Sequence, residues 1–298
     1  MLLITGLTGR SGSAFYDLLC REKYPGKIRA VVRETTDRTI FENTPLDLEL
    51  CVGDIADADF LAQAAEGCDT VFHIASKRMI QPLADAILRT RSVKNAIMVS
   101  STIVYSNYYR CAYLGDDEQV CVRKFEHKGI KYIFIRPTMI FGTINDGNIS
   151  RFIRWFLKYP VFPIVGNGQA TIQPVSRLDV AEAYFLVLKN FSEIDKTEYI
   201  VSGEREMTLK EMFNSICTLA DRKVLFVNIP FRIARLCVEA VYSLSAHRID
   251  YREKLDRLME NRAYGHEEIS TDLGYTPQSF ETRVLPLIDE LKKKKQGK

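Results

Sequence analysis

The sequence contains no apolar run long enough to cross a bilayer, because its longest apolar stretches are much shorter than the ~20 residues that a spanning helix requires. The opening residues 1–5 lead directly into a glycine motif and show neither a basic segment nor a cleavage site. We therefore expect a strand there rather than a signal peptide. Together these absences predict a protein without a membrane span that stays in the cytoplasm.

Paired cysteines are also missing. The seven cysteines are an odd number, are scattered along the chain and include no C-x-x-C pair. This pattern is typical of reduced thiols in a cytosolic protein, not of a disulfide framework or a zinc site. The four histidines have no metal-ligand spacing either, so we expect no metal.

A strong charge of either sign is absent too. Forty-one Lys and Arg stand against 38 Asp and Glu, for a net charge of +3, and part of the excess lies in the run Lys292–Lys295. This balance does not favour a nucleic-acid partner. We interpret the four lysines as the solvated end of a last helix, where cations suit the helix dipole, with a membrane-surface role as the less favoured alternative.

What is present is an alternation of short β-rich runs and helical patterns from residue 1 to about 140. Such alternation is typical of a parallel sheet with crossover helices. The predicted strands are Leu2–Thr5, Ile28–Arg33, Leu48–Val52, Thr70–Ile74, Ala96–Ser100 and Tyr132–Arg136. Several are continuous apolar runs, as in strands that are buried on both faces. We therefore predict an α/β fold with a doubly wound parallel Rossmann sheet and a smaller mixed C-terminal substrate-binding region.

The second half of the chain has its own start and stop signals. Predicted helix starts lie at Ser176 with Asp179, at Thr208 with Glu211, at Pro230 and at Ser279, and predicted strands are Glu198–Val201 and Val224–Ile229. We predict a dinucleotide-binding domain over residues 1–165, with 170–203 returning to it, and a substrate-binding region over 204–298.

Three glycines follow the first predicted strand, in the segment TGLTGRSG of residues 5–12. Glycines at positions 6, 9 and 12 permit a tight turn, a close approach of the backbone to a pyrophosphate, and close packing of helix on strand. The helix N-terminus then offers N–H donors and the positive end of its dipole to the phosphates. This context predicts a dinucleotide-binding turn, and a merely structural glycine turn is the alternative.

The spacing G-x-x-G-x-x-G resembles that of the short-chain dehydrogenase/reductase superfamily, in its extended and atypical branches of the NAD-dependent epimerase/dehydratase type. Further segments resemble landmarks of that family in the same order. They are Gly53-Asp54-Ile55, residues 67–76 (GCDTVFHIAS), 99–105 (VSSTIVY), 136–142 (RPTMIFG), 173–175 (QPV) with 179–181 (DVA), and 272–277 (DLGYTP). The ordered set covers nearly the whole chain and is specific where each segment alone is not.

The resemblance implies where a cofactor would be held. Asp54 would touch adenine, and Ile74–Ser76 would lie beside the nicotinamide ribose. The expected cofactor contacts are Thr5, Gly6, Thr8, Gly9, Arg10, Ser11, Gly12, Arg33, Arg38, Asp54, Ile55, Ile74, Ala75, Ser76, Ser100, Pro137 and Thr138. Gln173 and Arg177 are the expected substrate contacts.

Arg33 ends the second predicted strand, where an NAD-specific Rossmann unit places Asp or Glu to bind the adenine ribose hydroxyls. A guanidinium holds a 2′-phosphate by two parallel hydrogen bonds, whereas a carboxylate would repel it. Arg38 and Arg10 add positive charge, although Glu34 follows at once and is also in a position to reach a ribose. The sequence thus favours NADP over NAD, with a solvated strand end as the alternative for Arg33.

The resemblance also implies a catalytic serine and a Tyr-x-x-x-Lys pair on one helix face, in which the lysine lowers the pKa of the tyrosine. Ser101 matches the serine, and a merely structural strand-end serine is the alternative. The pair itself is missing. No lysine occurs between Lys94 and Lys124, and aligning the acidic run at Glu118 with the family's helix puts Arg110 and Leu114 on the pair.

Tyr113 is therefore the candidate for an unassisted catalytic acid, although a packing tyrosine is the favoured interpretation. His73 lies within a strand motif and is expected to be packed rather than catalytic. A lysine from a distant segment, such as Lys77, would be a replacement for the missing one.

Two functional hypotheses follow. The first is an NAD(P)-dependent reductase or epimerase that acts on a nucleotide sugar or a similar polar small molecule, and its oligomeric state is left open. The second is a catalytically degenerate NAD(P)-binding sensor or assembly protein of the NmrA-like type. The missing lysine favours the second hypothesis, and the later landmarks between Gln173 and Pro277 favour the first.

Overall fold

A computed structural model of the chain describes residues 1–76, 79–106, 108–245 and 247–296, and for 109–114 and 296 it describes the backbone alone. In chain order, the strands are β1 (Leu2–Thr5), β2 (Ile28–Val32), β3 (Leu48–Val52), β4 (Thr70–His73), β5 (Asn95–Val99), β6 (Lys131–Pro137), β7 (Ile140–Phe141), β8 (Val161–Val165), β9 (Thr171–Ile172), β10 (Val175–Ser176), β11 (Glu198–Val201), β12 (Met207–Thr208) and β13 (Leu225–Ile229). The helices are α1 (Arg10–Arg21), α2 (Ala58–Ala65), α3 (Ile80–Arg89), α4 (Tyr109–Lys128), α5 (Ile149–Lys158), α6 (Arg177–Asn190), α7 (Leu209–Leu219), α8 (Phe231–Leu244), α9 (Arg252–Asp256), α10 (Glu267–Leu273) and α11 (Phe280–Gln296).

The chain divides into two compact units, each assembled from separated stretches. The first unit consists of Met1–Pro137, Arg177–Val201 and His266–Tyr275. The second consists of Thr138–Ser176, Ser202–Gly265 and the stretch from Thr276 onward. This division differs from the sequence-based boundary at residue 165, because the chain leaves the first unit as soon as β6 ends. It returns for α6 and β11, within the predicted returning stretch, and again for α10.

The first unit is built on seven parallel strands in the order β3-β2-β1-β4-β5-β6-β11. Successive strands are added on one side from β1 to β3 and on the other side from β4 to β11. The direction in which strands are added therefore reverses between β1 and β4. This reversal makes the sheet doubly wound and confirms the predicted Rossmann-like fold. In such sheets, ligands bind beyond the carboxyl ends of the strands at this switch point.

Helices cover both faces of this sheet. Val71 and Phe72 are adjacent in β4 and so point to opposite faces. Val71 belongs to a buried cluster with side chains of α2, α3 and α4. On the other face, the ring of Phe72 lies 5.1 Å from that of Phe15 in α1 and 5.5 Å from that of Tyr184 in α6. The apolar face of α1, with Ala14, Phe15, Leu18 and Leu19, is buried.

The second unit contains three two-stranded pairings: β7 with β10 in parallel, β8 with β13 in parallel, and β9 with β12 in antiparallel orientation. It is therefore mixed, as predicted. Its core includes the rings of Phe152, Phe156, Phe162, Phe213 and Phe226. The predicted capping box at the start of α7 is confirmed, because Thr208 Oγ1 accepts from the Glu211 N–H at 3.1 Å and Glu211 Oε2 accepts from the Thr208 N–H at 2.7 Å.

Several predicted strands run one residue too far at the carboxyl end. Arg33, Ile74 and Ser100 each follow a strand instead of ending it. The backbone N–H of Arg33, for example, donates to Thr36 Oγ1 at 3.2 Å. Within the described ranges, no helix combines the length and the apolar character that spanning a bilayer would require.

Candidate functional site

The glycine turn connects the carboxyl end of β1 to α1 at the switch point of the sheet. Gly6 has a φ of +82°, in the left-handed region, and its carbonyl accepts from the Gly9 N–H at 2.9 Å. Gly9 is the N-cap residue of α1, and no side chain of the described residues caps this helix end. A helix end of this kind presents N–H donors and a positive dipole end, the arrangement that binds phosphate.

The three glycines of the turn are required for different reasons. A Cβ added at Gly6 would lie 2.5 Å from the backbone nitrogen of Ala75, and one added at Gly12 would collide with the carbonyl oxygen of Gly6. Both positions are therefore fixed by protein packing. Gly9 is exposed. A Cβ added there would lie within 4 Å of a single described non-adjacent atom, the carbonyl oxygen of Gly6, at 3.0 Å. A Cβ at Gly9 would thus make one tight contact, whereas Gly6 and Gly12 are enclosed by protein backbone. The exposed turn at Gly9 and the N–H groups at the start of α1, here called the cradle, match what a dinucleotide pyrophosphate requires.

The other predicted contacts of the turn have distinct surroundings. Thr5 is buried, Thr8 is partly exposed, and Arg10 is exposed at the first position of α1. The hydroxyl groups of Ser11 and Tyr184, the latter fully buried in α6, lie 3.4 Å apart.

The predicted ribose-side contacts lie together beyond β2 and β3. Val32 is paired with Val52, and the Gly53 N–H donates to the Val32 carbonyl at 3.0 Å, so Arg33 and Asp54 follow their strands at the same sheet edge. Arg33, Glu34, Arg38 and Asp54 are exposed. The Asp54 carboxylate accepts from the Ala56 N–H at 2.9 Å. The next residue, Ile55, is half-buried against the core that includes α2.

His73 ties the end of β4 to the end of β1. Its Nδ1 lies 2.7 Å from Thr5 Oγ1, and its Nε2 lies 3.3 Å from the Ser76 carbonyl oxygen. Since a carbonyl only accepts, Nε2 carries the hydrogen and Nδ1 accepts from the threonine hydroxyl. Complete burial lowers the pKa of His73 to about 4, so the ring is neutral at pH 7. This is the packed role that the sequence predicts, and it fixes the Ile74–Ser76 segment beside the turn.

Ser100 and Ser101 follow β5 and have different partners. The hydroxyl oxygen of Ser101 accepts from the Ile103 N–H at 3.3 Å and caps a short 3-10 helix, Thr102–Tyr105. Ser100 is buried and donates to Glu118 of α4. The strand-end role considered for Ser101 is thus present in the structure, and the catalytic role remains a prediction.

A polar network that includes Ser100 is centred on the buried residues Arg136 and Glu118, and no sequence motif predicted it. The guanidinium of Arg136 donates to Glu118 at 2.6 Å, to Glu198 at 2.9 Å and to Ser100 at 3.3 Å. Tyr105 also donates to Glu198, at 2.8 Å. Burial alone would lower the pKa of the Arg136 guanidinium. The carboxylates of Glu118 and Glu198 outweigh this effect, so the pKa is raised. The network joins the residue after β5, the end of β6 and the start of β11 to α4.

Two of the catalytic candidates, the side chain of Tyr113 and Lys77, fall outside the described residues. The side chain of Tyr113, like that of Tyr109, lies outside the described residues, although both belong to α4. Lys77, considered as a replacement lysine, also lies outside the described residues. Asp117, which is four residues after Tyr113, accepts from Gln81 of α3. No group of His, Cys, Asp and Glu suited to a metal occurs in the part of the chain that the structure describes.

The predicted substrate contacts lie in different units. Arg177 begins α6 in the first unit and donates to Ser13 of α1 at 3.1 Å. Gln173 is buried in the second unit. Its side-chain amide donates to the Gly203 carbonyl at 2.8 Å, and its backbone carbonyl accepts from the Thr138 hydroxyl. Gln173 and Thr138 therefore hold together segments of the second unit, whereas Pro137 is buried at the end of β6 in the first. Roles for these residues in ligand binding remain predictions.

The doubly wound sheet and the glycine turn define the fold class of this protein, a fold that it shares with solved sugar-nucleotide epimerases and dehydratases. The crystal structure of gox2253 is similar with a TM-score of 0.77 at 22% identity, over 98% of both chains. The dTDP-glucose 4,6-dehydratase DesIV of Streptomyces venezuelae, solved with NAD bound, is similar with a TM-score of 0.73 at 19% identity, over 99% of this chain and 98% of that one. Cinnamoyl-CoA reductase 1 of Petunia hybrida is 22% identical over 63% of this chain and 68% of its own length.

Within this class, the chain belongs to the NmrA-like family, whose family model matches residues 1–260. The predicted resemblance to the epimerase/dehydratase type is confirmed at the level of the fold. The family itself is the one that the sequence analysis associated with its second hypothesis.

Proposed function

We propose that this protein binds NADP, or NAD with lower affinity, at the glycine turn, and that binding rather than turnover is its main activity. The observation that carries the proposal is the cradle at Gly9. Packing against backbone accounts for the glycines at 6 and 12, whereas a Cβ at the exposed Gly9 would meet one described non-adjacent atom within 4 Å, the Gly6 carbonyl oxygen at 3.0 Å. A pyrophosphate at this position would receive N–H donors from the start of α1.

Arg33 supports the preference for NADP. It is exposed immediately after β2, beside the expected position of the adenine ribose, and Arg38 is exposed five residues later. A guanidinium is suited to bind the 2′-phosphate that distinguishes NADP from NAD. A bound nicotinamide would bring hydride chemistry, and the chain would supply its binding and orientation.

The absence of an activating lysine supports a sensing role. The sequence has no lysine between Lys94 and Lys124, a range that includes most of α4. His73 is neutral and engaged at both nitrogens, so it offers no general base at neutral pH. A protein that reports the level of NADP needs the turn and not the catalytic pair, and the match to the NmrA-like family agrees with this interpretation.

A second candidate, catalysis on an anionic substrate such as a nucleotide sugar, is favoured by two arginines of the second unit. The Nε atoms of Arg257 and Arg262 are buried and have no hydrogen-bond partner among the described residues. Burial and the charge of Arg257 lower the pKa of Arg262, although Glu260 acts in the opposite direction. Glu260 also lies 3.8 Å from the Arg257 guanidinium. A diphosphate group would satisfy these donors. If this candidate is right, UDP-sugars should raise the melting temperature of the wild type and not that of Arg262→Leu.

The test of the first proposal is calorimetric titration of NADP and NAD into the wild type, Gly9→Val and Arg33→Asp. Gly9→Val should abolish binding of both dinucleotides in a folded protein, because the branched side chain would occupy the cradle. Arg33→Asp should weaken NADP binding more than about tenfold, since a charged hydrogen bond contributes on the order of 2 kcal/mol.

Gly115→Val is the matched control. A Cβ at Gly115 would meet no atom within 4 Å in the described part of the chain, so this variant should bind as the wild type does. Unchanged affinity in folded Gly9→Val would refute the binding site. A wild type that prefers NAD, together with an Arg33→Asp variant of unchanged preference, would refute the assignment of NADP.

A further inference from the structure

Helix α8 presents its apolar side to solvent. Six residues at helical spacings of three and four share this side and are exposed: Ile233, Leu236, Cys237, Ala240, Val241 and Leu244, here called the α8 stripe. Leu236 is 70% exposed and Leu244 is 89% exposed. Single exposed apolar residues are common, but a continuous exposed stripe over a whole helix marks an interaction surface.

The inner side of α8 is mixed: beside the half-buried Phe231, Val238 and Tyr242 it carries charged groups that pair with each other and with α9. Arg235 pairs with Glu239 of its own helix at 2.9 Å and with Asp256 of α9 at 2.6 Å. The Arg252 guanidinium lies 3.8 Å from the centre of the Tyr242 ring. Of the residues of α8, Ala234 is the one that is fully buried. An ordinary surface helix has the opposite arrangement, with its apolar face on the core and its charges in solvent.

Positive charge lies at both ends of the α8 stripe. Arg232 is exposed just before it, and Arg248 is exposed just after it. From Phe231 to Ile249 the sequence contains three arginines and a single acidic residue, Glu239, whose carboxylate is paired with Arg235. The surface of this segment is therefore apolar along its length and cationic at its ends.

More apolar side chains are exposed directly before and after this segment. Leu225 and Val227, which share one face of β13, are 65% and 45% exposed. Ile249 and Tyr251, just beyond the stripe, are 43% and 46% exposed. Tyrosine is enriched at the boundary between water and lipid, because its ring is apolar and its hydroxyl is polar.

We propose that α8 is a membrane-surface anchor that lies in the interface of a bilayer containing anionic lipids. The α8 stripe would enter the acyl boundary, and Arg232 and Arg248 would meet lipid phosphates. An exposed apolar helix face with arginines beside it has the composition of interfacial helices. The phosphates of an anionic leaflet would also place negative charge opposite both arginines.

A second copy of the chain is a poorer occupant of the same stripe. Parallel pairing of two α8 helices would bring Arg232 against Arg232, and antiparallel pairing would bring Arg232 against Arg248. Either arrangement sets like charges beside each other at both ends of an apolar contact, which costs binding energy. The proposal concerns a surface of the second unit and does not depend on the proposed cofactor binding.

The experiment is co-sedimentation of the full chain with sucrose-loaded vesicles of phosphatidylcholine, either pure or with 30% phosphatidylserine. We expect clear partitioning onto the phosphatidylserine vesicles and weaker partitioning at high salt. Leu236→Glu with Leu244→Glu should weaken it more than about tenfold, because it removes apolar burial and adds negative charge. Arg232→Gln with Arg248→Gln should weaken it by roughly fivefold per arginine on the anionic vesicles.

Leu285→Glu is the matched control, since Leu285 on α11 is 40% exposed and lies outside the stripe. It should bind vesicles as the wild type does, and circular dichroism should show that every variant is folded. Failure of the wild type to bind anionic vesicles would overturn the proposal, as would binding that survives the double glutamate variant. A wild-type dimer that the glutamate variant converts to a monomer, with no vesicle binding in either, would assign the stripe to a contact between copies instead.

Discussion

At the scale of single residues, the burial of His73 makes the stability of the fold depend on pH. This residue is completely buried at the end of β4, and its pKa of about 4 lies below the ordinary value of 6.5 because the charged ring would be desolvated. Between these two values, the unfolded chain binds a proton that the folded chain does not bind. Acidification through this range therefore favours the unfolded state.

The prediction is that the free energy of unfolding falls by about 2 kcal/mol from pH 7 to pH 5 on account of His73 alone. Urea unfolding at the two pH values measures the fall. His73→Gln should lose this part of the pH dependence, while the exposed His127→Gln should keep it. An unchanged pH slope in folded His73→Gln would contradict the assignment, and NMR titration of the wild-type ring provides the same answer if that variant does not fold.

At the scale of secondary-structure elements, the start of α7 depends on one reciprocal pair, Thr208 and Glu211. Thr208→Ala removes the acceptor of an N–H group at the helix end. We predict a loss of about 1–2 kcal/mol in the free energy of unfolding. Thr208→Ser keeps the hydroxyl and should retain most of the stability. Equal urea midpoints for the alanine and serine variants would show that the cap does not stabilise the helix.

The same helix shows which elements a sequence makes predictable. The Thr208-to-Glu211 spacing is a local signal, and the long parallel strands are continuous apolar runs, so both were predicted from short windows. Strands β7, β9, β10 and β12 have two residues each, too few to show a period. The Arg136 network was not predictable, because it joins residues that are distant in sequence. The apolar residues of α8 can be seen in the sequence, but the sequence does not show that they face solvent.

The candidate site divides in the same way. The glycine turn and the residues after β2, β3 and β4 were predictable because strand, turn and helix follow one another within a few residues. The hydrogen bond of Gln173 to Gly203 was not predictable, since Gly203 is far away in the sequence. The separation into two units at Pro137 was also missed, because no change in composition marks that residue.

At the scale of the whole molecule, the missing lysine governs the expected activity. A tyrosine ordinarily has a pKa of ~10, and no lysine or arginine lies four residues after Tyr109 or Tyr113 to lower it. We therefore expect a poor acid–base group at pH 7. Positioned acid–base groups contribute ~10²–10⁴ in rate. We predict turnover of sugar nucleotides that is undetectable or slow at pH 7 and rises toward pH 9.5, together with clear binding of NADP.

The measurement is steady-state turnover at both pH values in the wild type, Ser101→Ala and Tyr113→Phe. Ser101→Ala should reduce any activity that is found, and Tyr113→Phe should reduce it only if that ring faces the nicotinamide. Fast turnover at neutral pH would contradict the prediction and favour the enzymatic candidate.

The interleaved order of the two units also has a consequence for synthesis. A ribosome releases the N-terminus first, so β6 emerges well before its outer neighbour β11, and residues 138–197 must be made in between. During that interval β6, with the buried side chains of Ile133, Phe134 and Ile135, is an unpaired apolar edge. Such edges pair with other chains. The nascent protein therefore needs chaperone protection at this edge, and a fragment that stops at Pro137 would keep the edge exposed and aggregate.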